Sequence, residues 1–490
     1  MKPVDRIIAI TAVFLNLTYI TWLGFSLDHP ASVIVFICDA LFVSLAIIKT
    51  VNHWTQHHVR EAHPRQTPRL DVFLPVLDEP IELFQETVQA ASRIDYEHKQ
   101  LYILDDQGRP EIATLAKECG AGYLSRPDKG NNEKAGNLNF GLHHSTGEFI
   151  LVIDADHVAK STIAKALLGH FADQRVALVA TRQTFDVPAG DFNHDPLYYH
   201  SILPGKNADN AATSCGSGVI YRRSALEQIG NFQTWNIVED LYTSYTFHIH
   251  GFRTVYVNDS FTLGLAPIDL PTIYKQRGTW AADALRIFFK HNPLWESRLN
   301  FKQKLHYFEI GWSYLVSAIS IPTVMIVLVF SLATNTYIIP ATDMYFLLKS
   351  LSMFFPALLA YVMAQKNFSA IQAWASLFPV YLWSMVLALR PNKPRYSVTN
   401  KIGKSERWHI LLMWPHLLLL GGTGTALMWH IMHFGLSNLA AVGFFFTGLM
   451  LYWFLPFLQK VLGFGYIVNV VPNIFPVRKE PTRALPETGN

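Results

Sequence analysis

A chain of 490 residues in which 50% are hydrophobic, 13% aromatic and only 16% charged is too apolar for an ordinary water-soluble enzyme, and a membrane accounts for the excess. Its 40 Lys and Arg against 37 Asp and Glu leave a net charge of +3, too small and too evenly drawn to speak for nucleic-acid binding. Three cysteines, Cys38, Cys119 and Cys215, match no zinc or disulfide spacing, which predicts reduced thiols and a cytosolic main domain.

In chain order, two apolar runs come first, Ile7 to Leu27 and Ser32 to Val51, each near the roughly 20 residues that cross a hydrocarbon core. The first stands where a signal peptide would. A second run follows it directly with no small-residue cleavage pattern between, so both are read as retained spans.

The rhythm then changes. Short apolar strands such as DVFLPVL (Asp71 to Leu77) and QLYILDD (Gln100 to Asp106) alternate with helical patterns at Ile81 to Arg93 and Glu111 to Cys119. That alternation predicts an α/β domain with a mostly parallel sheet, in which ligands bind beyond the carboxyl ends of the strands. Asp105, Asp106, Asp154 and Asp156 all fall at such ends and can share one crevice. The run ILVIDADHV (Ile150 to Val158) stops on two carboxylates, an arrangement that suits a hard divalent cation also bound by phosphate. Such a pair is common by chance in loops, so context decides it. In EKAGNLN (Glu133 to Asn139), Lys134 supplies a cation, and small residues let backbone approach a diphosphate.

Four further apolar runs follow at Phe308 to Ala333, Met344 to Ala364, Ile410 to His433 and Leu439 to Leu462. The connections Ser26 to Ala31, Thr334 to Asp343 and Gly435 to Asn438 contain no Lys or Arg. Basic residues instead follow the second run (Arg60, Arg65, Arg69), precede the third (Lys302, Lys304) and precede the fifth (Arg390 to Arg407). Six spans put every basic loop and both termini inside. Ala370 to Leu389 is then read as an interfacial helix on the cytoplasmic surface, with an ordinary seventh span as the alternative. The chain divides into 1–55 with two spans, 70–300 as the cytoplasmic domain, 301–475 as the later membrane region and 476–490 as a tail. The LPETG in that tail, Leu485 to Gly489, lacks a following apolar segment and receives no function.

Six motifs, in order, resemble processive membrane-integrated family 2 glycosyltransferases, and most closely the bacterial cellulose synthases. They are LDDQG at Leu104, KAGNLN at Lys134, DADH at Asp154, CGSG at Cys215, VED at Val238 and QRGTW at Gln276. YSVTNK, Tyr396 to Lys401, is similar to that family's FxVTxK gating loop. The resemblance implies a GT-A type domain inserted between transmembrane helices. It implies a UDP-sugar donor, a growing polysaccharide acceptor, and a cofactor Mg²⁺ or Mn²⁺ held by Asp154 and Asp156 with help from His157. Asp105 and Asp106 would take the uridine and Lys134 the diphosphate, with Gln276, Arg277, Thr399 and Lys401 also on the nucleotide. Asp240, beside Glu239, would deprotonate the acceptor, and Trp280 and Cys215 would line the acceptor site; without the motif, Trp280 reads as an interfacial anchor. The implied protein sits in a bacterial inner membrane, touches lipid, and leaves room for an accessory envelope subunit. It would polymerise a β-glucan from UDP-glucose and translocate it. A chitin-like or hyaluronan-like synthase, a short-chain transferase and a degenerate membrane scaffold are the alternatives.

Three departures stand out. The family's QxxRW pattern places Arg where this chain has Thr279, so Arg277, Lys275 or Arg286 is expected to supply the missing charge. Two early spans replace the four of the best-known bacterial cellulose synthase. No stretch after Leu462 is long enough for a PilZ domain, so control by cyclic-di-GMP within this chain is not expected.

Overall fold

A computed structural model describes residues 1–64, 66–188, 190–394 and 406–462. The YSVTNK motif, with Thr399 and Lys401, and the LPETG tail lie outside the described residues.

Helices α1 (Pro3–Phe25) and α2 (Ser32–Asn52) open the chain, and the α/β region follows. Its first half runs β1 (Leu70–Val76), α3 (Ile81–Ser92), β2 (Lys99–Asp105), α4 (Pro110–Glu118), β3 (Gly122–Leu124), α5 (Glu133–His143) and β4 (Phe149–Val152). Strand β1 is buried at all seven positions because both of its faces are covered. Leu70, Val72, Leu74 and Val76 pack with Phe84 and Val88 of α3 and Ile112 of α4. Phe73, on the other face, packs with Leu138 and Leu142 of α5. The alternation of side chains along a strand thus becomes three layers, helix on sheet on helix. Asp71 is the polar exception, and its carboxylate is matched by the Arg223 guanidinium at 2.9 Å and the Gly147 N–H at 2.6 Å. Pro75 is tolerated in this inner strand because pairing with β4 ends at Phe73 and Val152.

The second half adds β5 (His157–Ala159), α6 (Ile163–Leu167), β6 (Val176–Phe185), α7 (Leu203–Ala208), β7 (Val219–Arg222), α8 (Arg223–Gln228), α9 (Glu239–Ile249), β8 (Arg253–Gly264) and α10 (Leu270–Lys290). Among the described residues the sheet has eight strands in the order β3-β2-β1-β4-β7-β6-β8-β5. Pairs β1/β2, β1/β4, β2/β3 and β6/β8 are parallel; β4/β7, β6/β7 and β5/β8 are antiparallel. The sheet is therefore more mixed than the repeating strand–helix pattern predicts. Strand β7 begins at Val219 opposite Val152, the last residue of β4, so the turn before it reaches the edge where β4 ends. The antiparallel strand brings CGSG to that edge.

The later helices are α11 (Phe301–Thr334), α12 (Asp343–Met363), α13 (Ser369–Ser376), α14 (Phe378–Leu389), α15 (Trp414–Phe434) and α16 (Asn438–Leu462). Among the described residues six helices are long and apolar enough to cross a membrane: α1, α2, α11, α12, the helical stretch Arg407–Phe434 that ends in α15, and α16. The expected single helix at Ala370 to Leu389 is two, α13 and α14, bent by 55°. Pro379 in the first turn of α14 explains the break, since it has no N–H to continue the ladder of α13. Helix α13 bonds to α16, Ser376 Oγ donating to the Trp453 carbonyl at 2.7 Å; α14 bonds to α10, Ser384 Oγ donating to the Gly278 carbonyl at 2.9 Å. Inside the helical bundle, Asp39 of α2 meets the Lys349 ammonium of α12 and the Tyr19 hydroxyl of α1, each at 2.5 Å.

Candidate functional site

Beyond the carboxyl ends of β2 and β4 the structure gathers side chains from three separate motifs and backbone from a fourth. Lys134, in the first turn of α5, donates to Asp154 Oδ1 at 2.6 Å and to the Gly216 carbonyl at 3.0 Å, and its ammonium lies 3.0 Å from Glu239 Oε1. Gly216, at φ +84°, is where the groups meet. A Cβ there would lie 3.2 Å from Asp240 Oδ2, 3.3 Å from Lys134 Nζ and 3.9 Å from Asp154 Oδ2. Local chemistry explains each position. Val152 ends β4, and the chain turns at Asp154 to start β5, with the Asp154 N–H held by Ser217 Oγ at 3.0 Å. Glu239 and Asp240 open α9, where carboxylates suit the helix dipole.

Charge in this cluster is strongly shifted. Burial pushes the Asp240 carboxyl up to about 7; the neighbouring Glu239 charge adds to that and the Lys134 ammonium opposes it. Burial alone would lower Lys134, but Asp154 and Glu239 hold it protonated, well above its ordinary value. Asp240 is thus poised to exchange a proton near neutral pH beside a permanent cation. Glu239 Oε2 is buried with no hydrogen-bond partner in the structure.

The other predicted residues divide. Asp105 is fully buried and accepts from the N–H groups of Gln107 (3.0 Å) and Arg109 (2.6 Å) and from the Tyr123 hydroxyl (3.0 Å). Asp106 is forked by Arg126 at 2.5 and 2.8 Å. Both carboxylates therefore shape the loop after β2. Asp156 is half-buried in the turn after Asp154, and its charge, after burial, helps raise the Glu79 carboxyl. His157 is 2% exposed in β5, edge-on to Phe185 at 6.0 Å, and packs so closely on Gly264 that a Cβ there would overlap its ring. Among the described residues no group of three His, Cys, Asp or Glu is arranged to hold a metal ion. The donor set fits a metal nonetheless: two carboxylates are hard oxygen ligands for a divalent cation that takes further oxygens from a diphosphate.

Cys215 lines the cluster as a thiol. Burial pushes it up to about 12, and its Sγ lies 4.0 Å from the Tyr198 hydroxyl. Gln276, Arg277 and Trp280 share α10. Arg277 pairs with Asp195 at 2.9 Å and stacks over the Trp280 ring at 4.8 Å, and Trp280 is 38% exposed. Among the described residues Thr279 Oγ donates to the Lys275 carbonyl, at 2.9 Å. Arg286 donates to Asn236 Oδ1 at 3.2 Å and to the Asn392 carbonyl at 3.3 Å. Sequence reasoning missed Arg126, Asp195, Asp283 and Lys393. Of these only Asp283, one turn beyond Thr279 on α10, carried a local signal.

Residues 68–282 match the family model described as glycosyltransferase like family 2, and residues 227–375 the one described as cellulose synthase. The chain is 32% identical over 368 residues to the cellulose synthase 1 catalytic subunit (UDP-forming) of Komagataeibacter xylinus, across 71% of this chain and 49% of that protein. It is 31% identical over 259 residues to the cellulose synthase catalytic subunit (UDP-forming) of Xanthomonas axonopodis pv. citri, across 50% of this chain and 35% of that protein. The chain thus spans about half, or less, of the length of these relatives. Among solved structures it is similar to the mannosyltransferase PcManGT from Pyrobaculum calidifontis in complex with GDP-Man and Mn²⁺, at 17% identity and a TM-score of 0.51, covering 68% of this chain and 99% of that one. That likeness concerns the fold, which is of the GT-A type.

Proposed function

Starting from a chain that carries a family 2 glycosyltransferase domain with an overlapping cellulose synthase segment, we propose that it transfers hexosyl units from a UDP-sugar to a growing β-glucan, inverting the anomeric centre. The observation that carries this reading is the meeting of Lys134, Asp154, Glu239 and Asp240 around Gly216. Asp240 takes the proton of the acceptor hydroxyl as that oxygen attacks the anomeric carbon. The bond to UDP breaks on the opposite face, so an α-linked donor yields a β-linked product. Lys134 is placed to meet the negative charge that gathers on the leaving diphosphate. A divalent cation, Mg²⁺ or Mn²⁺, held by Asp154 and Asp156, would add charge stabilisation there. Asp105 and Asp106 order the loop against which a uridine would rest, and Trp280 offers an aromatic face to a sugar ring.

UDP-glucose is the proposed donor, on the printed names of the cellulose synthase relatives. The membrane helices would carry the product outward, with the domain on the cytoplasmic side where the basic loops lie. The bent pair α13 and α14, bonded to both α16 and the domain helix α10, supports an interfacial position for that segment. UDP release from the purified full-length protein, with enzymatic digestion of any polymer, tests the reading. Activity with UDP-glucose that is lost in EDTA and in Asp240→Asn supports it; activity only with UDP-N-acetylglucosamine moves it to a chitin-like or hyaluronan-like product.

One observation favours a second reading, a degenerate transferase acting as a membrane scaffold. Thr279 brings no charge, Arg277 is paired with Asp195, and Arg286 is bound to Asn236 and Asn392. A wild type silent with every UDP-sugar, beside a Thr279→Arg variant that gains activity, would establish that reading.

A further inference from the structure

Helix α10 does more than place Trp280. Asp283, Arg286 and Lys290, spaced by three and four residues, lie along one side of it. Asp283 accepts from the N–H groups of Ile237 (2.8 Å) and Val238 (3.0 Å), immediately before Glu239 and Asp240. Arg286 holds Asn236 through its side chain and Asn392 through its carbonyl. Lys290 donates to the carbonyl oxygens of Arg390 and Pro391. The segment after α14 is thus stitched to the helix that braces the VED turn.

From that segment Lys393 reaches back into the domain. Its ammonium donates to Glu133 Oε2 at 2.7 Å, to the Thr234 carbonyl at 3.0 Å and to the Asn236 carbonyl at 3.3 Å. Three acceptors match its three N–H groups, so it is committed to the protein rather than presented to a ligand. The acceptors sit at telling places. Glu133 directly precedes Lys134 and has φ +48°, a backbone conformation that L residues seldom adopt unless their surroundings impose it. Asn236 lies three residues before Glu239.

We propose that Lys393 is a positioning residue for glycosyl transfer: a cation from the membrane half of the chain that locks the first turn of α5 to the turn entering α9, and so sets Lys134 against Glu239 and Asp240. This rests on the transfer reading above. Removing the ammonium leaves the Glu133 carboxylate and two carbonyls without their shared donor, and the two halves of the centre are free to shift apart.

The test uses the full-length protein in lipid nanodiscs, comparing Lys393→Ala, Lys393→Arg, Glu133→Gln and the Lys393→Ala/Glu133→Gln double variant. Turnover in Lys393→Ala is expected to fall about 10- to 100-fold, the cost of a small misplacement, with KM for the UDP-sugar little changed. Lys393→Arg should recover most of the loss, and the double variant should be no slower than Lys393→Ala, because both remove the same tie. Unchanged turnover in Lys393→Ala, or additive losses in the double variant, overturns the proposal. Hydrogen exchange of the amides of residues 234–241, measured without substrate, gives an independent readout: faster exchange in Lys393→Ala supports the tie, and unchanged exchange overturns it. A wild type silent with every donor removes the transfer reading, and the exchange pattern then decides the tie alone.

Discussion

Asp240 shows how a single residue type changes role with its surroundings. In water its carboxyl would be ionised at any physiological pH. Here burial first, and then the Glu239 charge, raise it to about 7. As the proposed base, Asp240 must be deprotonated, so kcat/KM for UDP release should rise with pH through about 7 and level off above it. Lys134 pulls the same group down. Lys134→Met should therefore move the rising limb to higher pH, besides lowering the rate. A limb at the ordinary carboxylate value would mean that Asp240 is not raised, and a limb that Lys134→Met leaves in place would mean that another group titrates. Gly216 is the second residue whose identity is dictated locally, since it combines φ +84° with close approach to Asp240 and Lys134. Gly216→Ala should cost about 1–2 kcal/mol of stability. It should also slow turnover by about 100-fold, because the new methyl group pushes the cluster apart. An alanine variant at full speed would show that the cluster does not act as a unit.

At the scale of elements, α10 and the α2–α12 pair put buried carboxyl groups to different uses. In α10 the buried Asp283 spends its carboxylate on two backbone N–H groups, and burial holds it well above the usual carboxylate range. That carboxyl organises a turn. In α2 and α12 the Asp39–Lys349 pair, with Tyr19, joins three apolar helices where an unmatched charge has no water to turn to. Replacing one partner, as in Lys349→Met, should destabilise the bundle by about 3–5 kcal/mol, whereas Asp39→Leu with Lys349→Met should restore most of it. The midpoint of SDS-induced unfolding reports both. Equal losses in single and double variants would mean that the pair contributes more than charge matching.

Across the whole molecule, the α/β domain and the helices are joined by polar contacts at several places. Gln56, just past α2, donates to Ser201 Oγ of the domain at 2.9 Å, His306 of α11 lies 2.9 Å from Asp209, and Lys460 of α16 reaches Asp191 of the domain at 2.6 Å. The domain is therefore tied to both the early and the late spans. The proposed topology makes a direct prediction about sidedness. A cysteine placed at Asn392, in a background lacking the three native thiols, should react with an impermeant maleimide only after cells are opened. One at Leu436, 81% exposed in a connection without Lys or Arg, should react in intact cells. The reverse pattern, with Asn392 labelled and Leu436 protected in intact cells, is what a seventh span at Ala370 to Leu389 or an inverted orientation would give, and labelling of both would mean that Arg407–Phe434 does not cross.

Sequence by itself determined what depends on local pattern. Continuous apolar runs of membrane length located the six helices that, among the described residues, are long and apolar enough to span, since a hydrocarbon core demands unbroken apolar helix. Strand ends closing on acids placed Asp154 and Asp156, and spaced motifs singled out Lys134, Glu239 and Asp240. Tertiary structure decided what depends on neighbours from distant segments. The antiparallel insertion of β7 is set by which strand edge β4 leaves open, and no periodicity encodes that choice. The break between α13 and α14 follows from Pro379, visible in the sequence but outweighed there by an apolar run. The partners that commit Asp105, Asp106, Arg277 and Arg286 come from backbone turns and side chains remote in sequence, so their availability to a ligand could not be read from motif positions. Lys393 is the clearest case: 260 residues separate it from Glu133, and only folding brings that ammonium beside Lys134's helix.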